Sequence, residues 1–212
     1  FFSMVRLLRD EGVDAHLVTL GNEERQFHPS WDTFDLGYQH YTHPVSWGDP
    51  GRFSAVDPAE VRRDLSRYGF TVVCGAVPGF MHNAGLVADV VVPHGNDIAE
   101  LPHFRLQAPR RGALTSTWRF PSAQKSGLRS ARFLGGAYTP QFEDIFARLG
   151  CRGKRVAFPI APIYATQFNP ERISQYFDQT AWFHEFKRIR DSHEVVVFHH
   201  LRHIWKSKTS SF

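Results

Sequence analysis

Phe70-Thr71-Val72-Val73-Cys74 and Ala88-Asp89-Val90-Val91-Val92-Pro93-His94-Gly95-Asn96-Asp97-Ile98 are the two stretches that decide the fold. Each holds a continuous β-branched run rather than an alternation of apolar and polar residues. Such runs are the pattern of parallel strands covered on both faces. Between them Pro78-Gly79 reads as a turn, residues 80–84 as a short helix, and Gly85 as its end. Upstream, Asp57-Pro58-Ala59-Glu60 opens a helix. Asp57 caps it, Pro58 takes the first helical position, and Glu60 can reach back in a capping box. Val61, Leu65 and Tyr68 follow at helical spacing, and Gly69 ends the helix. Helix, strand, short helix, strand at this pitch predicts an α/β fold with a Rossmann-like parallel sheet.

Working outward, Phe1, Met4, Val5 and Leu8 fall on one helical face, closed by Gly12, and residues 15–20 read as a strand. An α/β domain usually opens on a strand before such a helix, so the first strand of the sheet is expected to be missing. Residues 20–56 and 99–139 are rich in Gly, Pro, His and aromatics and have weak periodicity; 42–51 reads as a loop. Phe142, Ile145, Phe146 and Leu149 define an amphipathic helix ending at Gly150, and residues 155–158 read as a strand. Asn169-Pro170-Glu171 starts a further helix. Trp182, Phe186 and Ile189 share a helical face ahead of a strand over 194–199. Thirteen residues follow that strand, too few for a full α/β unit. The organisation expected is a first domain over 1–192 and the truncated beginning of a second over 193–212.

Two cysteines, Cys74 and Cys151, make no disulfide framework and no C-x-x-C pair, which suits a reducing, cytoplasmic setting. No apolar stretch approaches the ~18 residues of a spanning helix. Charge is divided along the chain. Residues 1–104 carry seven basic and fourteen acidic side chains, a balance of −7; residues 105–212 carry eighteen and seven, a balance of +11. A basic half suits an anionic partner: a phosphorylated ligand, nucleic acid or an anionic membrane surface. The basic residues are spread over 108 positions without a tight run, which argues against nucleic acid.

Ligands of open α/β sheets bind outside the carboxyl ends of the strands. His94, Gly95, Asn96 and Asp97 follow one predicted strand, and Cys74 and Gly75 follow its neighbour, so all six are placed on one crevice. Gly95 permits close backbone approach, and Asn96 and Asp97 can hydrogen-bond a polyol or ribose. The competing reading is a turn that uses Gly, Asn and Asp for their backbone habits. Cys74 reads as a small buried hydrophobe, since nothing local would lower its pKa. His199, His200 and His203 form an H-H-x-x-H cluster. On a strand the first two point to opposite faces and no carboxylate is near in sequence, so no metal site is assigned. Arg202, Lys206 and Lys208 follow a strand end, where a phosphate could be held. The G-x-G-x-x-G, P-loop, G-x-S-x-G and H-E-x-x-H motifs are absent.

Taken in order over nearly all 212 residues, these elements resemble the N-terminal part of a GT-B fold glycosyltransferase, close to the retaining group called family four. The helix over 1–11, Gly12 and the strand over 14–20 resemble that group's opening. Val72-Val73-Cys74-Gly75 with Val92-Pro93-His94-Gly95-Asn96-Asp97-Ile98 resembles its "hydrophobic strand, P-x-G-x-D-[IL]" segment. Residues 194–202 resemble the strand and loop opening the second Rossmann domain. The resemblance implies transfer of a sugar, with retention, from a nucleotide-sugar donor to a sugar or lipid-linked acceptor. The acceptor would bind this domain, with peripheral contact at an anionic membrane's inner face allowed. Arg202 would match the basic residue on the donor diphosphate, and Lys208 or Lys206 its lysine partner. No cofactor and no catalytic metal are implied. A nucleotide-sugar epimerase of the same fold, and a non-catalytic Rossmann-like module binding a phosphorylated or acidic ligand, are the other readings.

Overall fold

A computed structural model describes residues 1–20, 28–31, 33, 36–103, 114–136, 140–158, 162–169, 171 and 181–195. Two compact units divide the chain, Phe1–Tyr164 and Ala165–Phe212. The boundary read from the sequence lies at 192/193, and most of the stretch beyond it, 196–212, is outside the described residues.

Helix α1 (Phe2–Asp10) buries Phe2, Val5 and Arg6. The expected face is therefore rotated: Leu8 is 38% exposed. Arg6 turns inward, its guanidinium carbon 3.7 Å from the centroid of the Tyr164 ring. A delocalised cation is stabilised over an aromatic face, which is how a charged residue joins this apolar stripe. Strand β1 (Leu17–Leu20) pairs in parallel with β2 (Thr42–Val45), with Leu17 opposite Thr42 and Leu20 opposite Val45. The loop expected over 42–51 is thus a strand in its first half. Pro44 hides it, because proline cannot donate to a ladder and is confined to edge strands; among the described residues this sheet has two strands, each an edge.

Helix α2 (Pro58–Leu65) starts as read: the Ala59 N–H donates to Asp57 Oδ1 at 2.9 Å and Pro58 opens the first turn. Glu60 does not complete a capping box; its carboxylate accepts from the Ser46 hydroxyl instead. The rest of this unit runs β3 (Val72–Val73), α3 (Val77–Asn83), β4 (Val90–Val91), α4 (Asn96–Ala99), α5 (Leu114–Ser130), β5 (Phe133–Gly135), α6 (Pro140–Leu149) and β6 (Lys154–Val156). Strands β3, β4, β5 and β6 form one parallel sheet in that order. Parallel neighbours need a crossover, and a helix fills each interval. The chain is therefore a mixed α/β protein with parallel sheets. Pro78 and Gly79, read as a turn, lie inside the first turns of α3, where proline costs no hydrogen bond.

The core joins both sheets. Val45, Val73, Val91 and Leu134 are buried in one cluster, with Val18 and Leu20 packed against it. Its centre is aromatic: Phe53 lies edge-on to Phe80 and Phe120 at 5.0 and 5.4 Å, and Trp47 is 5.7 Å from Phe80. Each such pair adds roughly 0.5–1.5 kcal/mol beyond its buried area. Trp47 satisfies its indole N–H on Asp64 at 2.9 Å. Helices α3 and α5 cross closely, and Gly127 sets the distance: a β-carbon there would stand 2.1 Å from the Pro78 carbonyl oxygen.

Within the second unit, the Asn169 side-chain oxygen accepts from the Glu171 N–H at 2.9 Å; the helix expected to start there lies, beyond Glu171, outside the described residues. Helix α7 (Ala181–Asp191) leaves Phe186 52% exposed. The strand expected over 194–199 lies mostly outside the described residues; Glu194 and Val195 are not in a strand.

Candidate functional site

Strands β3 and β4 are hydrogen-bonded neighbours, so their carboxyl ends release the chain side by side. The loops that follow are held together by Asp97. Its carboxylate accepts from the N–H groups of His94 at 2.9 and 3.1 Å, Gly95 at 3.0 Å and Gly75 at 3.2 Å. Gly75 belongs to the loop after β3; His94 and Gly95 belong to the loop after β4. Cys74, Gly75, His94, Gly95, Asn96 and Asp97 are therefore brought together, as the sequence places them.

Their roles divide. Asp97 is 4% exposed and turned into the loops, not toward a ligand. Burial pushes its carboxyl above the usual carboxylate range, against the pull of the N–H groups of Gly75 and His94. Gly75 and Gly95 have φ of +60° and +113°, the region glycine enters without penalty. A β-carbon on either would meet nothing within 4 Å. Both face open space, so their conformation, not crowding, requires glycine. His94 and Asn96 are exposed, the His94 ring edge-on to Phe1 at 5.7 Å. Cys74 is partly exposed. The groups offered are polar: two glycine backbones, an imidazole, an amide and a thiol.

Sequence reasoning missed the residue that locks these loops from behind. Gln124 on α5 is fully buried. It accepts from the Gly79 N–H at 2.9 Å and donates to the carbonyls of Gly75 at 2.9 Å and Asp97 at 3.2 Å. Its signal is one polar side chain among Phe120, Ala123 and Leu128 on a helix face. The low periodicity around Pro121 and Gly127 obscures that face.

The opposite end of the sheet is held by a second carboxylate. Asp89 Oδ2 accepts from the Thr71 N–H and hydroxyl at 2.9 and 3.0 Å, and Oδ1 accepts from Arg132 at 2.8 Å. A third polar cluster lies beside β1 and β2. His16 Nδ1 and His43 Nε2 are 2.9 Å apart, and His16 Nε2 is 3.0 Å from Asp14. Burial, then Arg67 and His16, hold His43 below the ordinary histidine range. Among the described residues no group of three His, Cys, Asp or Glu side chains could hold a metal ion, and none of the helices is long and apolar enough to cross a membrane. Arg202, Lys206, Lys208, His199, His200 and His203 lie outside the described residues.

Comparison of the chain with protein-family profiles, with curated proteins and with solved structures returned no match.

Proposed function

We propose that this chain is the acceptor-side part of a Rossmann-like glycosyltransferase of GT-B type, moving a sugar from a nucleotide-sugar donor to a sugar or lipid-linked acceptor. One observation carries the reading: the loops after two adjacent parallel strands are tied together by Asp97 and present Gly75, His94, Gly95 and Asn96 at the carboxyl end of the sheet. Parallel sheets bind ligands at that end. A surface of amide, imidazole and backbone groups suits a polyhydroxylic ligand, since hydroxyls both donate and accept. Donor binding falls to Arg202 and Lys208, where a guanidinium can meet a diphosphate with two parallel bonds and a lysine adds a point charge. That chemistry needs no cofactor beyond the nucleotide sugar.

The test has two arms on the 212-residue chain. Neutral mono- and disaccharides are titrated against it while the backbone amides of Gly75 and Gly95 are followed by NMR. Saturable shifts, weakened in Asn96→Ala and His94→Ala, are expected. Nucleoside diphosphates are titrated against wild type and Arg202→Ala by calorimetry. Sugars that shift nothing in this crevice, or wild-type diphosphate affinity in Arg202→Ala, refute the respective half. A second reading, a non-catalytic module, is favoured by one specific fact: the crevice's carboxylate, Asp97, is spent on backbone N–H groups, so it supplies no general base. Saturable sugar binding without binding of nucleoside diphosphates selects it.

A further inference from the structure

Helix α5 enters β5 and helix α6 enters β6, so the C-terminal turns of both helices lie at the amino ends of the strands. This is the end of the sheet opposite the crevice. There a cleft of about 520 Å³ is lined by Ser126, Arg129 and Ser130 of α5, Arg148 of α6, and Gly150 and Arg152 beyond it. Three arginines from three segments share one cleft, and among the described residues no carboxylate lines it. The surrounding stretch, 114–158, carries eight basic and two acidic side chains. Of the two acids, Glu143 is taken by Arg155 at 3.0 Å.

We infer that this cleft is an anion site for a phosphate group, separate from the proposed sugar crevice and independent of that reading. Arginines near helix carbonyl ends are ordinarily dipole partners. Arg129 does serve in that way: its Nε donates to the Leu149 carbonyl at 2.6 Å. That one bond fixes the guanidinium plane and leaves both Nη groups uncommitted among the described residues. Arg148 and Arg152 make no hydrogen bond or ion pair among the described residues and are exposed. Three like charges around one cleft repel unless an anion enters. A tetrahedral phosphate offers oxygens to several guanidinium forks at once, which lysines could not match in geometry. Ser126 adds a hydroxyl, and the Ser130 hydroxyl, which donates to the Gly127 carbonyl at 3.1 Å, keeps its lone pairs for the arginines. Cys151 is no competitor as an anion, since burial pushes its thiol up in spite of Arg155 and Arg129.

Inorganic phosphate is the probe, titrated into the full 212-residue chain at constant ionic strength and followed by NMR and calorimetry. Saturable binding is expected. It should weaken at least about tenfold in Arg148→Ala/Arg152→Ala, a double variant that loses no intramolecular bond and so keeps its fold. Arg148→Lys, which keeps charge and loses the fork, should fall between. Arg119→Ala removes an exposed charge elsewhere on α5 and should change nothing. Absence of saturable binding, or equal weakening by Arg119→Ala, overturns the site and leaves a diffuse basic surface. Sedimentation with phosphatidylcholine vesicles, with and without phosphatidic acid, names the source. Retention by phosphatidic acid, abolished in the double variant, makes the group a lipid headgroup. Phosphate binding without retention makes it a soluble phosphate ester.

Discussion

Asp97→Ala tests whether this carboxylate serves the fold or a ligand. Three backbone N–H groups depend on it, those of Gly75, His94 and Gly95, at 2.9–3.2 Å. Hydrogen bonds to a charged acceptor are worth about 1.5–3 kcal/mol each, so the gross contribution is large. The carboxyl is nonetheless pushed up by burial, against the pull of the Gly75 and His94 N–H groups. Burying the charge therefore costs more than they return, and the net worth is trimmed toward the cost of three unmet donors. At about 1 kcal/mol each, the variant loses roughly 3 kcal/mol. In a unit of 164 residues that is a melting temperature lower by about 6–12 °C, at roughly 2–4 °C per kcal/mol.

Asp97→Asn keeps an oxygen for His94 and Gly95 but turns its amide toward the Gly75 N–H. It should lose about 1–2 kcal/mol, less than alanine. Calorimetric melting gives the size, and amide hydrogen exchange gives the place: Gly75 and Gly95 should exchange faster in both variants, while Val61 on α2 should not. Asn96→Ala, an exposed neighbour, should move the melting temperature little, within about 0.5 kcal/mol. An Asp97→Ala protein that melts like wild type, with Gly75 still protected, would sink the reasoning and return the carboxylate to the ligand.

Further outcomes follow from other residues. Gln124→Leu keeps volume but strands the carbonyls of Gly75 and Asp97; the Gly79 N–H retains the Ala76 carbonyl at 3.1 Å. A loss of about 2 kcal/mol by denaturant titration is expected, and a neutral result would show that the loops re-pair. Gly127→Ala should destabilise by about 1–3 kcal/mol despite alanine's better helix propensity, since the new methyl meets the Pro78 carbonyl backbone. A raised melting temperature would show that α3 and α5 can separate at no cost. His43 is held below its ordinary value of 6.5, so folding favours the neutral ring. Below that pH the unfolded chain binds more protons than the native one, and stability falls as pH falls. His43→Asn should flatten that part of the melting-versus-pH curve; an unchanged slope would assign it to other groups.

The strands and short helices of the sheet were legible where local signals stood alone. The cap at Asp57, the valine runs at 72–73 and 90–92, and the face of Phe146 and Leu149 each survive in the structure. Strand β2, helix α4, strand β5 and helix α5 were not legible. Strand β2 carries Pro44, a residue that argues against a strand unless the strand is an edge. Helix α5 carries Pro121, Gly127 and a buried Gln124 on positions where apolar residues would have signalled a helix. In both cases tertiary contact decides: Pro44 is tolerated because one side of β2 is unpaired among the described residues, and Gly127 is required because α3 crosses at that point.

The same ambiguity governs the candidate site. Asp89 and Asp97 flank one apolar run, and a sequence offers no way to tell a polar residue that binds from one that staples. The structure separates them by what they touch. Asp89 gathers the amino ends of β3, β4 and β5 through Thr71 and Arg132; Asp97 gathers the loops at the carboxyl ends of β3 and β4. Strands β3 and β4 have two residues each in the ladder, too few for backbone pairing alone to fix their ends. Buried carboxylates at both ends supply the missing acceptors. The two loops are thus tied together by the protein's own groups, and His94 and Asn96 stay exposed beside them, the His94 ring edge-on to Phe1. That division assigns Asp97 to the fold, which Asp97→Ala tests, and leaves His94 and Asn96 as the exposed side chains of the proposed site.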